Sequence, residues 1–299
     1  MLKEERKAFL ERLGFTHDPF ETPIAEQELG RLKQAFYAYY TPFYSPSHKD
    51  LLKVLRAPQH SFVYGSPGQG KSTLRLTLEA DCRTVFDGTL PVTYLMEEVS
   101  PQEHGMRLTQ ALAIDLTLSI LEQFNPLSPF PDSTQLEALK AILPAGGRTL
   151  SRFLDILTSE TAETDSLWGL SASWKYLGKV PVKYVELSPA LQELLQRLKI
   201  AFSAEISASP GWEMFWKGIE AAQMWGFQQI FILVDGVDSR ERNVETMLAL
   251  LKPFFERLSL AKEKHLYFKF FLPTELKDPI EQMLRDSYPY PVTSIAIEW

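Results

Sequence analysis

The sequence predicts a three-layer α/β fold, a parallel β-sheet with helices on both faces. Three observations predict it. Short segments rich in β-branched and aromatic residues, at 59–64, 91–96, 228–234, 266–272 and 292–298, alternate with helical patterns. The first run leads at once into a glycine-rich turn that opens a helix, and the run ending at Val234 is followed by an aspartate. Buried strands of this kind, rich in β-branched and aromatic residues, require helices above and below the sheet.

Composition sets the outer bounds. The chain has 299 residues, 45% hydrophobic and 23% charged, enough for a soluble globular protein with a substantial core. A formal charge of −7 argues against a broadly basic, nucleic-acid-coating surface. A local patch is still compatible with it, so nucleic acid is a possible partner that the charge does not indicate. Cys82 is the single cysteine, and the five histidines have no partner at metal-ligand spacing, so neither a disulfide scaffold nor a zinc site is expected. The charged N-terminus is unlike a signal peptide, and no apolar run approaches the roughly 18 to 20 residues of a membrane span. A cytoplasmic location with no membrane partner is the expectation.

In chain order, residues 1–58 read as lead-in helices around the loop Gly14-Phe15-Thr16-His17-Asp18-Pro19-Phe20. The aromatic stretch Phe36 to Tyr44 reads either as a helix end packed on the core or as a partner or stacking surface. The core begins at 59 and continues to 299. After Lys71 the pattern is helical, with Leu74 and Leu78 one turn apart and Arg75 facing Glu79 at i, i+4. Helical segments dominate from about Arg107 to Phe202, broken by Pro126 to Pro131 and by Gly146-Gly147; the region 100–210, with Trp168 and Trp174, reads as a helical insertion without catalytic signal. An amphipathic helix spans 212–225. Asn243 can cap a helix with the stripe Val244, Leu248, Leu251, Phe255 and Leu258, which Pro253 would kink, and a last helix covers about 277–286.

The chemistry starts at Gly65-Ser66-Pro67-Gly68-Gln69-Gly70-Lys71-Ser72, which fits G-x-x-x-x-G-K-[ST] without departure. Small residues let successive amides turn inward around a phosphate, and the helix opening near Lys71 adds its positive dipole end. Lys71 is expected to reach the β- and γ-phosphates, Ser72 to ligate Mg²⁺, and Thr73 to flank the site. Four fixed positions arise by chance in about one chain in a hundred of this length, before the strand and helix on either side are required. This is a P-loop, and it predicts a nucleoside triphosphate.

Phe231-Ile232-Leu233-Val234-Asp235 has the form of a Walker B strand, which makes Asp235 the expected metal carboxylate and Asp238 the expected water-activating one. Val234-Asp235-Gly236-Val237-Asp238 resembles the Walker B element of STAND and NACHT ATPases, relatives of the AAA+ proteins, departing from it at Ser239, where those families often carry Glu. Gly14-Phe15-x-x-Asp18-Pro19-Phe20, followed by Ala25-Glu26-x-Glu28, resembles the lead-in of ExeA-like and origin-recognition-like ATPases. The resemblance covers roughly 10–100 and 225–299. It implies the additional-strand, AAA-like type of P-loop sheet, with Asp18, Pro19 and Phe20 beside the adenine, Thr274 as a polar sensor after the strand 266–272, and Arg285 as an arginine finger, with Arg240 and Arg242 as weaker alternatives. Those families continue into a helical lid, which is not visible before Trp299, so the chain is expected to be the ATPase core of a longer protein.

The function expected is an ATP-binding and slowly hydrolysing switch that uses Mg²⁺ and ATP to control self-assembly or protein partners. Three other readings stay open: an ATPase acting directly on DNA, a nucleotide-dependent scaffold that only binds, and a small-molecule P-loop kinase. No guanine-reading N-K-x-D stands in the right place, which favours ATP over GTP.

Overall fold

The computed structural model describes residues 51–85, 87–96, 99–124, 130–148, 150–151, 154, 163–164, 182–183, 189–202, 211–239 and 242–297, with Ala25 alone before them. Asp18, Pro19, Phe20, the aromatic stretch 36–44, Trp168, Trp174 and Arg240 lie outside the described residues.

The elements run α1 (Leu51–Leu55), β1 (Ser61–Tyr64), α2 (Lys71–Val85), β2 (Thr89–Leu95), α3 (His104–Glu122), α4 (Ser133–Lys140), α5 (Pro189–Phe202), α6 (Trp212–Met224), β3 (Gln229–Asp235), α7 (Val244–Phe255), α8 (Leu258–Glu263), β4 (Leu266–Leu272), α9 (Lys277–Ser287) and β5 (Thr293–Ala296). Five strands form one sheet in the order β2-β3-β4-β1-β5. Every pairing in it is parallel. Pro91 lies in β2, an edge strand, where a missing N–H costs no central ladder bond.

Alternation along each strand divides the core between the two faces. Phe62 and Tyr64 of β1, Ile230, Ile232 and Val234 of β3, and Phe268 and Phe270 of β4 pack with α3, α6 and α7. Val63, Phe231, Leu233 and Phe271 point the other way, onto Leu51 and Leu55 of α1 and Leu74, Leu78 and Cys82 of α2. Each such fully buried side chain contributes roughly 1.5–3 kcal/mol by leaving water. Helices therefore cover both faces, as the apolar strands require.

Local signals account for several element ends. Glu103 Oε2 accepts from Ser100 N at 3.0 Å and Ser100 Oγ at 2.9 Å in the 3₁₀ turn Pro101–Glu103 that leads into α3, and that helix starts at His104, a little before the expected Arg107. The Asn243 side chain accepts from the Thr246 amide and caps α7. Pro253 falls in the last turn of α7, which ends at Phe255. α3 and α6 pack closely because Gly218 has no side chain; a Cβ there would stand 2.6 Å from Leu112 Cδ2. Among the described residues no helix is long and apolar enough to cross a membrane.

One central position breaks the apolar pattern. Lys269, in the middle of β4, is fully buried. Its ammonium donates to Ala57 O at 2.8 Å and Gln59 O at 2.7 Å, and lies 4.4 Å from the Phe231 ring centroid. Burial lowers its pKa to about 7, with Arg56 repulsion adding to the effect.

Candidate functional site

The connections after β1 and β4 diverge: α2 leads from β1 towards β2, and α9 leads from β4 towards β5 on the opposite side of the sheet. Adjacent parallel strands whose connections part leave a crevice at their carboxyl ends. The glycine loop 65–72 stands at that crevice. Its first residue is tied to the neighbouring strand, Gly65 N donating to Leu272 O at 3.0 Å.

The loop's shape follows from its residues. Gln69 N donates to Ser66 O at 3.2 Å, closing a four-residue turn with Pro67 second and Gly68 third. Gly68 has φ 81° and Gly70 φ 80°, a region that side chains with a Cβ rarely enter. Proline at the second position and positive φ at the third match a type II turn. Helix α2 is under way immediately afterwards, with Leu74 N donating to Gly70 O at 2.8 Å. The first amides of the helix are thereby left facing the crevice, where an anion can use them. Thr73 is buried and Ser72 half-buried in that first turn.

Lys71 lies folded back along the loop. Its Nζ donates to Gly65 O at 2.8 Å and Ser66 O at 3.3 Å, and stands 3.5 Å from Asp238 Oδ2. The Gln69 carboxamide does the same for the backbone, its Oε1 accepting from Ser66 N at 2.6 Å. Loop amide and ammonium, the groups a phosphate would use, thus bind internal oxygens.

Asp235 ends β3 at the same edge, two strand spacings from β1, or about 10 Å. It is buried. Oδ1 accepts from Gly236 N at 2.8 Å and Oδ2 from Arg75 Nε at 3.1 Å. Sequence reading paired Arg75 with Glu79 on a helix face but missed its contact with Asp235. Arg75 begins a buried line of alternating charge. Its Nη1 is 3.6 Å from Glu79 Oε2, and Glu79 Oε1 is 3.4 Å from Arg83 Nε. Arg83 reaches Asp115 at 2.9 Å and Glu122 at 3.1 Å. Thr93 of β2 donates its hydroxyl to Glu79 at 2.8 Å and its amide to Asp115 at 2.9 Å. Two guanidinium groups face four carboxylates. Burial opposes the Arg83 charge, but Glu122, Asp115 and Glu79 together raise its pKa; burial pushes Glu122 above the usual carboxylate range despite Arg83 beside it. Arg75, Glu79 and Arg83 repeat every fourth residue beside the apolar stripe Leu74, Leu78 and Cys82.

The other expected residues fall as follows. Thr274 is exposed in the short 3₁₀ turn after β4, two residues beyond the Leu272 carbonyl that holds Gly65. Arg285 is exposed in the last turn of the 11-residue α9, roughly 12 Å of helix from the carboxyl edge where α9 starts. Arg242 has a local task, donating to Met96 O at 2.6 Å and Val237 O at 3.2 Å and so tying the turn after β3 to the end of β2.

A Mg²⁺ ion would find hard oxygen donors in the Ser72 hydroxyl and the Asp235 carboxylate. Magnesium commonly takes one or two protein oxygens and completes its shell with phosphate and water, so the donor set fits. Among the described residues no group of three or more His, Cys, Asp or Glu side chains is placed to hold a metal without a ligand's help. Comparison with known proteins finds no match for this chain among protein-family models, curated proteins or solved structures.

Proposed function

We propose that the chain binds ATP with Mg²⁺ and hydrolyses it slowly, as a switch of the STAND/AAA+ type that controls assembly or conformational change in protein partners. One observation carries the reading: Lys71 and Asp238 meet at 3.5 Å over a type II glycine turn, at the crevice beside the carboxyl end of β1. The sheet order supports the additional-strand, AAA-like P-loop type, because β4 lies between the loop strand β1 and the acidic strand β3.

Each group has a defined task in this reading. The amides of 66–72 take the phosphates, and Lys71 exchanges Gly65 O, Ser66 O and Asp238 for β- and γ-phosphate oxygens. Ser72 Oγ and Asp235 are the oxygens that would hold Mg²⁺, whose charge offsets that of the phosphates. Once Lys71 turns to the phosphate, Asp238 is released to accept a proton from the water that attacks the γ-phosphorus as the bond to the β-phosphate oxygen breaks. Thr274, on the neighbouring strand end, is the residue to orient that water.

The contact between Asp238 and Lys71 also favours a second reading, a binding-only scaffold in which Asp238 merely neutralises Lys71 between nucleotides. Phosphate release from Mg-ATP separates the two. Turnover above the no-protein rate that Asp238→Ala abolishes supports the hydrolase. Nucleotide binding without turnover leaves the scaffold, and neither binding nor turnover removes both.

A further inference from the structure

The Asp235 carboxylate is held by two donors from different elements. Gly236 N, on the turn after β3, takes Oδ1 at 2.8 Å, and Arg75 Nε, on α2, takes Oδ2 at 3.1 Å. Two donors, one on each oxygen, fix the plane of a carboxylate; one donor leaves it free to turn. Arg75 is itself fully buried, and its far side is braced by Glu79, which Thr93 and Arg83 hold in turn. It also sits one helical turn beyond Lys71, about 6 Å along the axis of α2, so one helix carries both the loop lysine and the group that holds Asp235.

We infer that Arg75 is a positioning residue for the divalent-cation site: it touches neither nucleotide nor cation, and it aims the remaining lone pairs of Asp235 at the crevice beside Ser72. The inference rests on the function proposed above. Partners of metal-binding carboxylates typically alter metal affinity by 10- to 100-fold when removed, because the carboxylate loses its fixed direction. A role limited to filling the core would weaken nucleotide binding with and without the cation alike.

The test is a fluorescent ATP analogue titrated into the whole chain, first in EDTA and then across a Mg²⁺ series. Wild-type protein should bind in EDTA and bind more tightly as Mg²⁺ rises. For Arg75→Gln the metal-free affinity should stay within about 2-fold while half-saturating Mg²⁺ rises about 10-fold, and Arg75→Lys, which keeps the charge without the fork, should fall between. An unchanged Mg²⁺ midpoint in Arg75→Gln, or equal losses with and without the cation, overturns the inference while leaving the proposed function standing. Wild-type protein that binds no nucleotide removes the proposed function and this inference with it. Should Arg75→Gln fail to fold, Arg75→Lys is decisive: a Mg²⁺ midpoint raised at least about 3-fold supports the role, and an unmoved one overturns it.

Discussion

Lys71 Nζ stands 3.5 Å from Asp238 Oδ2, so the loop ammonium and the acid three residues beyond the strand-end aspartate neutralise each other. Under the proposed function, a triphosphate would have to replace Asp238 at Lys71 before Asp238 could act on water. Asp238→Ala should therefore abolish steady-state phosphate release while ATP affinity, by equilibrium titration, holds or rises by up to about 10-fold. Turnover that survives the substitution would take the water-activating role away from Asp238.

Under the proposed function, Gln69 would compete with phosphate in the same way. Its Oε1 accepts from Ser66 N at 2.6 Å, and that side-chain contact must break for the amide to face a ligand. Losing one intramolecular hydrogen bond is worth about 0.5–1.5 kcal/mol. Gln69→Ala should thus tighten ATP binding roughly 2- to 10-fold by calorimetry, and unchanged or weaker binding would mean that the contact does not compete.

Arg83 reaches Ser119, Asp115, Glu122 and Glu79 from a fully buried position. Removing one partner of a buried ion pair leaves the other charges uncompensated and costs about 3–5 kcal/mol. Arg83→Met should lower the urea-unfolding free energy by that amount. A loss below about 1 kcal/mol would show that the carboxylates find other compensation.

Acid should destabilise the fold through two histidines. Burial lowers both His60 and His104 to about 4, with Lys269 and Lys262 reinforcing the effect at His60. His60 is held in its neutral form, Nδ1 accepting from Phe268 N at 3.0 Å. Between about pH 6.5 and 4 the unfolded chain binds protons that the folded chain refuses, so stability falls as pH drops, by roughly 3 kcal/mol per histidine over that window. His60→Asn keeps an acceptor but cannot take up the proton. Chemical unfolding of this variant at several pH values should give a visibly shallower acid slope than wild type, and an identical slope would rule His60 out as a source.

Much of the frame was legible because local rules decided it. The run at 228–234 is apolar from Ile230 to Val234, and β3 occupies Gln229–Asp235; Asn243 caps where a capping residue precedes an apolar stripe. The expected strand at 266–272 matches β4 in both bounds. What was hidden depends on distant partners. Lys269 inside an apolar run gives no sign of the carbonyls of Ala57 and Gln59 that receive it. The i, i+4 relation of Arg75 and Glu79 fits a surface pair as well as a buried one, and only the packing of α2 on the sheet brings Asp235 to Arg75. Spacing names the loop residues, but the fold-back of Gln69 and Lys71 depends on torsions that a motif does not specify.

The central claim is that this loop is built for a triphosphate, and equilibrium titration of ATP with Mg²⁺ into wild type and Lys71→Ala tests it most directly. Hydrogen bonds to charged groups contribute about 1.5–3 kcal/mol, so one saturable site in the wild type should weaken roughly 10- to 100-fold in Lys71→Ala. No saturable ATP binding by wild-type protein, or equal affinity in the two, would contradict it.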